Sequence, residues 1–412
     1  MSLLAKRFRE IVGKSKDKMM SMEASANVCY STGFIALDFL NGMIVHVDDE
    51  ERNIHEKYYS VGIQDGTINQ FIGRSSCGKT TFAMQCAFNI VNQFDNACFY
   101  HDDVENGIND SRKRVLTGIP LKVLKQKYIA RDTGVTTENF YERIKTISDE
   151  KLNNYDDYSY DTGLLDESGD PIIKLQPTVY LLDSFAMLMP EKFATEDEMS
   201  GQMAGPATAR MNTAMLRRIV PLLKASNIIL FIINHILPDV SLMPKKGQLR
   251  CLKQGERLPG GETLVYLTTN IFRFDDTKLK EKDGLGFNGA LINISLPKSR
   301  QNYLDEAVTM VFNPITGYDP VNSLLLLLKN KGKINGGGIG MYLGDRKDMK
   351  FSQKKFKEKF NTDQEFQDLV MEEVMDVVTG FIKDVNSQSE NMIPDFNKNF
   401  MNKVNDRLKV KA

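Results

Sequence analysis

The sequence has no tryptophan and only four histidines and five cysteines among its 412 residues. The cysteines, Cys29, Cys77, Cys86, Cys98 and Cys251, are odd in number and lack any C-x-x-C pair. Neither a disulfide framework nor a cysteine-based zinc site is therefore expected. Long apolar runs are missing too: the longest aliphatic and aromatic stretch, Ile228 to Ile233, is far too short to span a bilayer. The opening "MSLLAKRFRE" has neither the apolar core nor the small-residue cleavage site of a signal peptide. A cytoplasmic protein with no membrane partner is expected. Charge of one sign is also scarce, since 53 Lys and Arg against 54 Asp and Glu leave a formal net charge of -1. Any nucleic-acid contact must then come from a local concentration of basic residues.

A hydrophobic content of 42% is enough for a large core. From Ser31 to about Tyr318, apolar runs of strand length alternate with helical patterns, which predicts an α/β fold with a mostly parallel, helix-covered sheet. The clearest strands are "TINQFIG", "NACFYHD", "TVYLLDS", "NIILFIINH", "TNIFRFD" and "ALINISL". The first twenty residues space Leu3, Leu4, Phe8, Ile11 and Val12 near a helical period among basic residues, predicting a short amphipathic helix. Two polar, acidic stretches, "HVDDEERNIHEKYYSVGIQDG" and "NNYDDYSYDTGLLDESGDP", read as surface loops or hairpins inserted into the core. The expected division is an N-terminal helix and linker over 1–30, a core over 31–320 and a small α+β C-terminal domain over 321–412.

Between a predicted strand and a predicted helix lies "GRSSCGKTTF", with the spacing Gly73, four residues, Gly78-Lys79-Thr80 of a phosphate-binding loop. Glycines let the backbone curl so that N–H groups converge on phosphate oxygens, and the following helix adds favourable potential. Lys79 would supply a point charge and Thr80 a hydroxyl ligand for Mg2+. Cys77 sits inside this loop, so thiol alkylation is expected to weaken ATP binding. In "VYLLDS", four apolar residues deliver Asp183 to the end of a strand, where it can serve the same metal. "FYHDDVENGIND" offers Asp102, Asp103 and Glu105 to orient or deprotonate an attacking water.

With these residues in place, the chain resembles the RecA family of recombinases, including its phage UvsX type. "STGFIALD" resembles the opening of that core, "GRSSCGKTT" its Walker A segment and "LLDSFAML" its Walker B segment. "ARMNTAMLRRIVPLLKASNIILFIINH" and "LPGGETLVYLTTNIFRFDD" resemble the segments around the two DNA loops, and "KINGGGIGMYLGDRKDMKFSQKKFKEKF" the small C-terminal domain. The resemblance implies a RecA-like P-loop ATPase in which Gly73, Arg74, Ser75, Ser76, Cys77, Gly78, Lys79, Thr80 and Thr81 cradle ATP and Mg2+, with Asp183 on the metal side. It favours Glu105 as the catalytic acid because "ENGI" is similar to the phage family's "EFGI", whereas counting from the strand end selects Asp103. It makes His235 the sensor of the γ-phosphate, and Lys298 and Arg300 cations offered to a neighbouring protomer's ATP.

The segment "ILPDVSLMPKKGQLRCLKQGERLPGG" behind His235 is the local basic concentration sought above, with Lys245, Lys246, Arg250, Lys253 and Arg257 as candidate phosphate contacts. Arg210 and Arg217 match DNA-facing arginines of the family, although Glu196, Asp197 and Glu198 nearby depart from a simple cation-lined groove. The resemblance further implies single- and double-stranded DNA as partners and a helical filament of the chain with itself. In that filament the N-terminal helix would dock on the next protomer. The implied partners extend to single-strand-binding and loader proteins. The expected activity is DNA-dependent ATP hydrolysis coupled to homologous pairing and strand exchange. The alternatives are a ring-forming RecA-like motor or an ATP-binding recombination mediator.

Overall fold

The computed structural model describes residues 28–49, 52–105, 110–117, 121–131, 135–166, 169–195, 204–239, 249–279, 285, 287–300 and 306–382. The expected N-terminal helix and, from the two expected DNA loops, residues 196–203 and 240–248 lie outside them.

A nine-stranded sheet organises the described residues. From one edge it runs Gly317–Asp319, Ala307–Asn313, Gly289–Lys298, Asn270–Leu279, Ile68–Gly73, Ile228–His235, Thr178–Asp183, Cys98–Asp103 and Tyr128–Arg131. The six strands from Asn270–Leu279 to Tyr128–Arg131 are parallel, and the remaining three join as an antiparallel meander. Every strand expected from the apolar runs is in this sheet.

Strand alternation explains the two-sided core. Val179 and Leu181 face one hydrophobic layer while Tyr180 and Leu182 face the other. Ile229, Phe231 and Ile233 likewise oppose Ile228, Leu230 and Ile232. Because both faces are covered, these strands read as unbroken apolar runs instead of alternating ones. The helix Lys79–Val91 contributes Phe82, Ala83, Cys86 and Ile90 to the first layer. The helices Thr137–Asn153 and Ala204–Ser226 supply Phe140, Ile144, Leu216, Ile219 and Leu223 to the second.

The two acidic insertions are hairpins. Met43–Asp49 pairs with Ile54–Ser60, and Ser159–Leu165 with Pro171–Leu175. They lie side by side: Arg52 Nη1 donates to Gly169 O and Asp170 Oδ1 at 3.1 and 2.6 Å, and Tyr58 Oη donates to Leu165 O at 3.2 Å. Residues 321–382, the described part of the expected small C-terminal domain, share the first hydrophobic layer through Leu325, Leu328, Phe356, Phe366, Val370 and Val374. They belong to the compact unit that ends at Ile382. At the junction Asp319 caps the helix Pro320–Asn330, accepting from Asn322 N at 3.1 Å with proline in the first turn.

Candidate active site

The strand Ile68–Gly73 delivers Gly73 to the C-terminal end of the sheet, opposite His235 on one side and Phe274 on the other. The chain then turns through Ser76 and Gly78, both left-handed at φ 63° and 83°, and enters the helix Lys79–Val91. A Cβ on Gly73 would lie 2.7 Å from Phe274 O, and one on Gly78 would lie 2.7 Å from Tyr318 Oη. Glycine is therefore required at both positions for space, and at Gly78 also for conformation. Arg74, Ser75 and Ser76 form the exposed rim of the loop, and Thr81 is buried behind it. This geometry puts the positive end of a 13-residue helix at the mouth of the loop.

Lys79 is buried, and its ammonium donates to Gly73 O at 3.1 Å and Arg74 O at 2.6 Å, with Cys77 Sγ at 3.6 Å. Cys77 is itself buried, and burial pushes its thiol up from the ordinary range, with Lys79 opposing. Thr80 Oγ1 donates to Asp183 Oδ2 at 2.6 Å. Asp183 is 3% exposed, and burial, with Glu105 and Asp103 adding repulsion, pushes its carboxyl up to about 7 against the Thr80 hydrogen bond.

Asp183 Oδ1 is buried with no hydrogen-bond partner among the described residues. An orphaned carboxylate oxygen beside a hydroxyl is a donor set that fits Mg2+, which takes few protein ligands and completes its shell with water and phosphate. Among the described residues no group of three or more His, Cys, Asp or Glu could hold a metal alone.

The three acidic candidates separate by strand alternation. Asp102 turns to the far face, where it is buried, accepts from Arg143 Nη1 at 2.6 Å and from Tyr180 Oη, and is pushed up by that burial. It is a structural ion pair away from the loop. Asp103 stands opposite Asp183 in the parallel register, and Val104 N donates to Asp183 O at 2.8 Å. Two residues further, Glu105 Oε1 lies 3.0 Å from His235 Nε2. His235 is anchored from below: its N–H donates to Asn234 Oδ1 at 3.0 Å, and Ile236 N donates to Gly73 O at 3.0 Å. Gly73, Lys79, Thr80, Asp183, Asp103, Glu105 and His235 thus come from the ends of four adjacent parallel strands and the helix that follows one of them.

Lys298 and Arg300 are elsewhere. Lys298 Nζ donates to Val265 O and Tyr266 O at 2.5 and 3.1 Å, and Arg300 Nη2 to Tyr266 O at 2.6 Å. Within the chain they cap the C-terminal carbonyls of the helix Gly261–Leu267. Burial and the neighbouring Arg300 push Lys298 down to about 8.

The basic candidates are scattered over several elements. Arg210 and Arg217 are exposed and seven residues apart, on one face of the helix Ala204–Ser226. Arg250 and Arg257 are exposed, whereas Lys253 Nζ is 3.1 Å from Asp275 Oδ2. Lys245 and Lys246 lie outside the described residues.

Sequence reading missed Tyr318, whose ring packs on Phe34, Phe82 and Phe312 beneath Gly78. It also missed Arg273. Neither stands out locally: Tyr318 packs on Phe34 and Phe82 far earlier in the chain, and Arg273 joins Asp275 on its own strand to Glu256 and Cys251, 17 and 22 residues before it. No protein-family model and none of the curated proteins matches this chain. Among the described residues no helix is long and apolar enough to cross a membrane.

Proposed function

We propose that this chain is a DNA-dependent ATPase of the RecA-like type that assembles on single-stranded DNA and promotes homologous pairing and strand exchange. The observation that carries this reading is the convergence of the Thr80–Asp183 and Glu105–His235 pairs on the glycine loop that holds Lys79. In this reading the loop N–H groups and Lys79 bind and orient the β- and γ-phosphates of ATP. Thr80 and Asp183 would hold Mg2+, which when bound offsets phosphate charge. Glu105 orients the attacking water and takes up its proton, with Asp103 as the second carboxylate within the site. His235, bonded to Glu105 and leading into the basic segment, is suited to pass nucleotide state to DNA.

The filament, the docking of the N-terminal helix and the trans role of Lys298 and Arg300 rest on the family resemblance. A cytoplasmic setting, with single-strand-binding and loader proteins as partners, belongs to the same reading. For Lys298 and Arg300 to reach a neighbour's phosphates, they must exchange the Val265 and Tyr266 carbonyls for them.

The test is phosphate release from ATP with and without single-stranded DNA, imaged in parallel by negative stain. Stimulated turnover with helical filaments, lost in Lys79→Ala, supports the proposal. Closed rings would move the reading to a motor, and ATP binding without turnover to a mediator.

A further inference from the structure

Arg273 lies on the strand next to the glycine loop's own strand, opposite Ile72 and one residue before Phe274, which faces Gly73. It is buried, yet it is an arginine. Its guanidinium makes five hydrogen bonds: Nε to Asp275 Oδ2 at 3.0 Å, Nη1 to Cys251 O at 3.1 Å and Glu256 Oε2 at 2.7 Å, and Nη2 to Glu256 Oε1 at 2.8 Å and Asp275 Oδ1 at 3.2 Å. An arginine has five N–H donors, so its donor capacity is matched.

Two of these acceptors, Cys251 and Glu256, belong to the basic segment that returns from His235. Glu256 in turn accepts from Lys253 N at 2.7 Å, and Asp275 also accepts from Lys253 Nζ at 3.1 Å. The other end of the segment is tied to the same place. Ile236 N donates to Gly73 O at 3.0 Å, and Leu237–Pro238 pairs with Glu256–Arg257. Ile72, Ile236, Cys251, Val265 and Ile271 form a small apolar core between these ties.

A buried ion pair of this kind is a poor source of net stability, since well-packed apolar residues often serve as well. Its distinguishing property is geometric: a bidentate guanidinium–carboxylate contact fixes orientation as well as distance. We propose that Arg273 is a positioning residue that clamps Glu256 to the sheet beside the glycine loop, so that the segment Arg250–Arg257 moves with the nucleotide site as one body. This rests on the function proposed above and adds the residue through which its DNA-facing segment is coupled to ATP.

The experiment compares wild type with Arg273→Leu and Glu256→Gln, measuring phosphate release over a range of ATP and oligothymidylate concentrations, with thermal melting as a check on folding. The coupling role predicts that KM for ATP and turnover without DNA are retained while stimulation by oligothymidylate falls about tenfold. If Arg273→Leu does not fold, Glu256→Gln, which preserves size, decides. Stimulation equal to wild type in a folded variant would overturn the inference, as would loss of basal and stimulated turnover by the same factor. If wild type itself shows no stimulated turnover, the proposed function falls and takes this inference with it.

Discussion

His235 Nε2 and Glu105 Oε1 meet at 3.0 Å although 130 residues separate them in the chain. The contact separates Glu105 from Asp102, which is committed to Arg143 and Tyr180 on the opposite face, and leaves Asp103, opposite Asp183, as the other candidate. Glu105→Gln is expected to lower single-turnover hydrolysis of ATP by about 100-fold or more while leaving ATP affinity in place. Asp103→Asn in the same assay is the control. Should it abolish turnover while Glu105→Gln does not, the base is Asp103.

Gly78 and Tyr318 form a steric pair. At φ 83° any side chain is strained, and a Cβ would stand 2.7 Å from Tyr318 Oη. Gly78→Ala is expected to cost about 1–2 kcal/mol from conformation alone. Tyr318 Oη is buried with no hydrogen-bond partner among the described residues. Tyr318→Phe should therefore be neutral or stabilise by about 1 kcal/mol, and should soften the Gly78→Ala defect. Urea unfolding of the two single variants and the double variant measures all three values.

Lys151 is buried where its ammonium donates to Gln176 O at 2.7 Å, Thr178 Oγ1 at 3.2 Å and Asn227 O at 3.3 Å. Burial pushes it down to about 7 from an ordinary 10.5. Between these values the unfolded chain holds the proton more tightly, so this group's contribution is present at high pH and is lost as pH falls towards 7. The stability of wild type relative to Lys151→Met should accordingly fall from pH 10 to pH 7 and level off below. A difference that stays constant across that window would refute the assignment.

The expectation that alkylation of Cys77 weakens ATP binding gains a condition on rate from the structure. Its thiol lies under the loop beside Lys79, buried and raised, so alkylation of the folded protein should be slow there. Mass spectrometry after brief iodoacetamide treatment should show Cys29 or Cys98, both partly exposed, labelled ahead of Cys77. Labelling in urea should erase the order.

Much of the fold was legible because its rules are local. The strand, glycine turn and helix around Gly73–Thr80 follow from residue types within a few positions, and the apolar runs mark strands buried on both faces. The two acidic stretches were readable as surface loops or hairpins from their turn residues, but nothing local announced that they are hairpins or that Arg52 would join them by reaching Asp170. Lys298 and Arg300 were legible as basic residues at a strand end, and not as caps on the Gly261–Leu267 helix.

The sequence by itself determined the glycine loop, the strand ends that carry Asp183 and His235, and the two-layer core, since backbone conformation and alternation act over short spans. Tertiary structure alone decided that Thr80 meets Asp183 across 103 residues, that Glu105 and not Asp102 faces His235, and that Arg273 grips Glu256. Parallel strands buried on both faces look alike as apolar runs, so their order in the sheet is set by the packing of the whole chain. That order determines which side chains share the site.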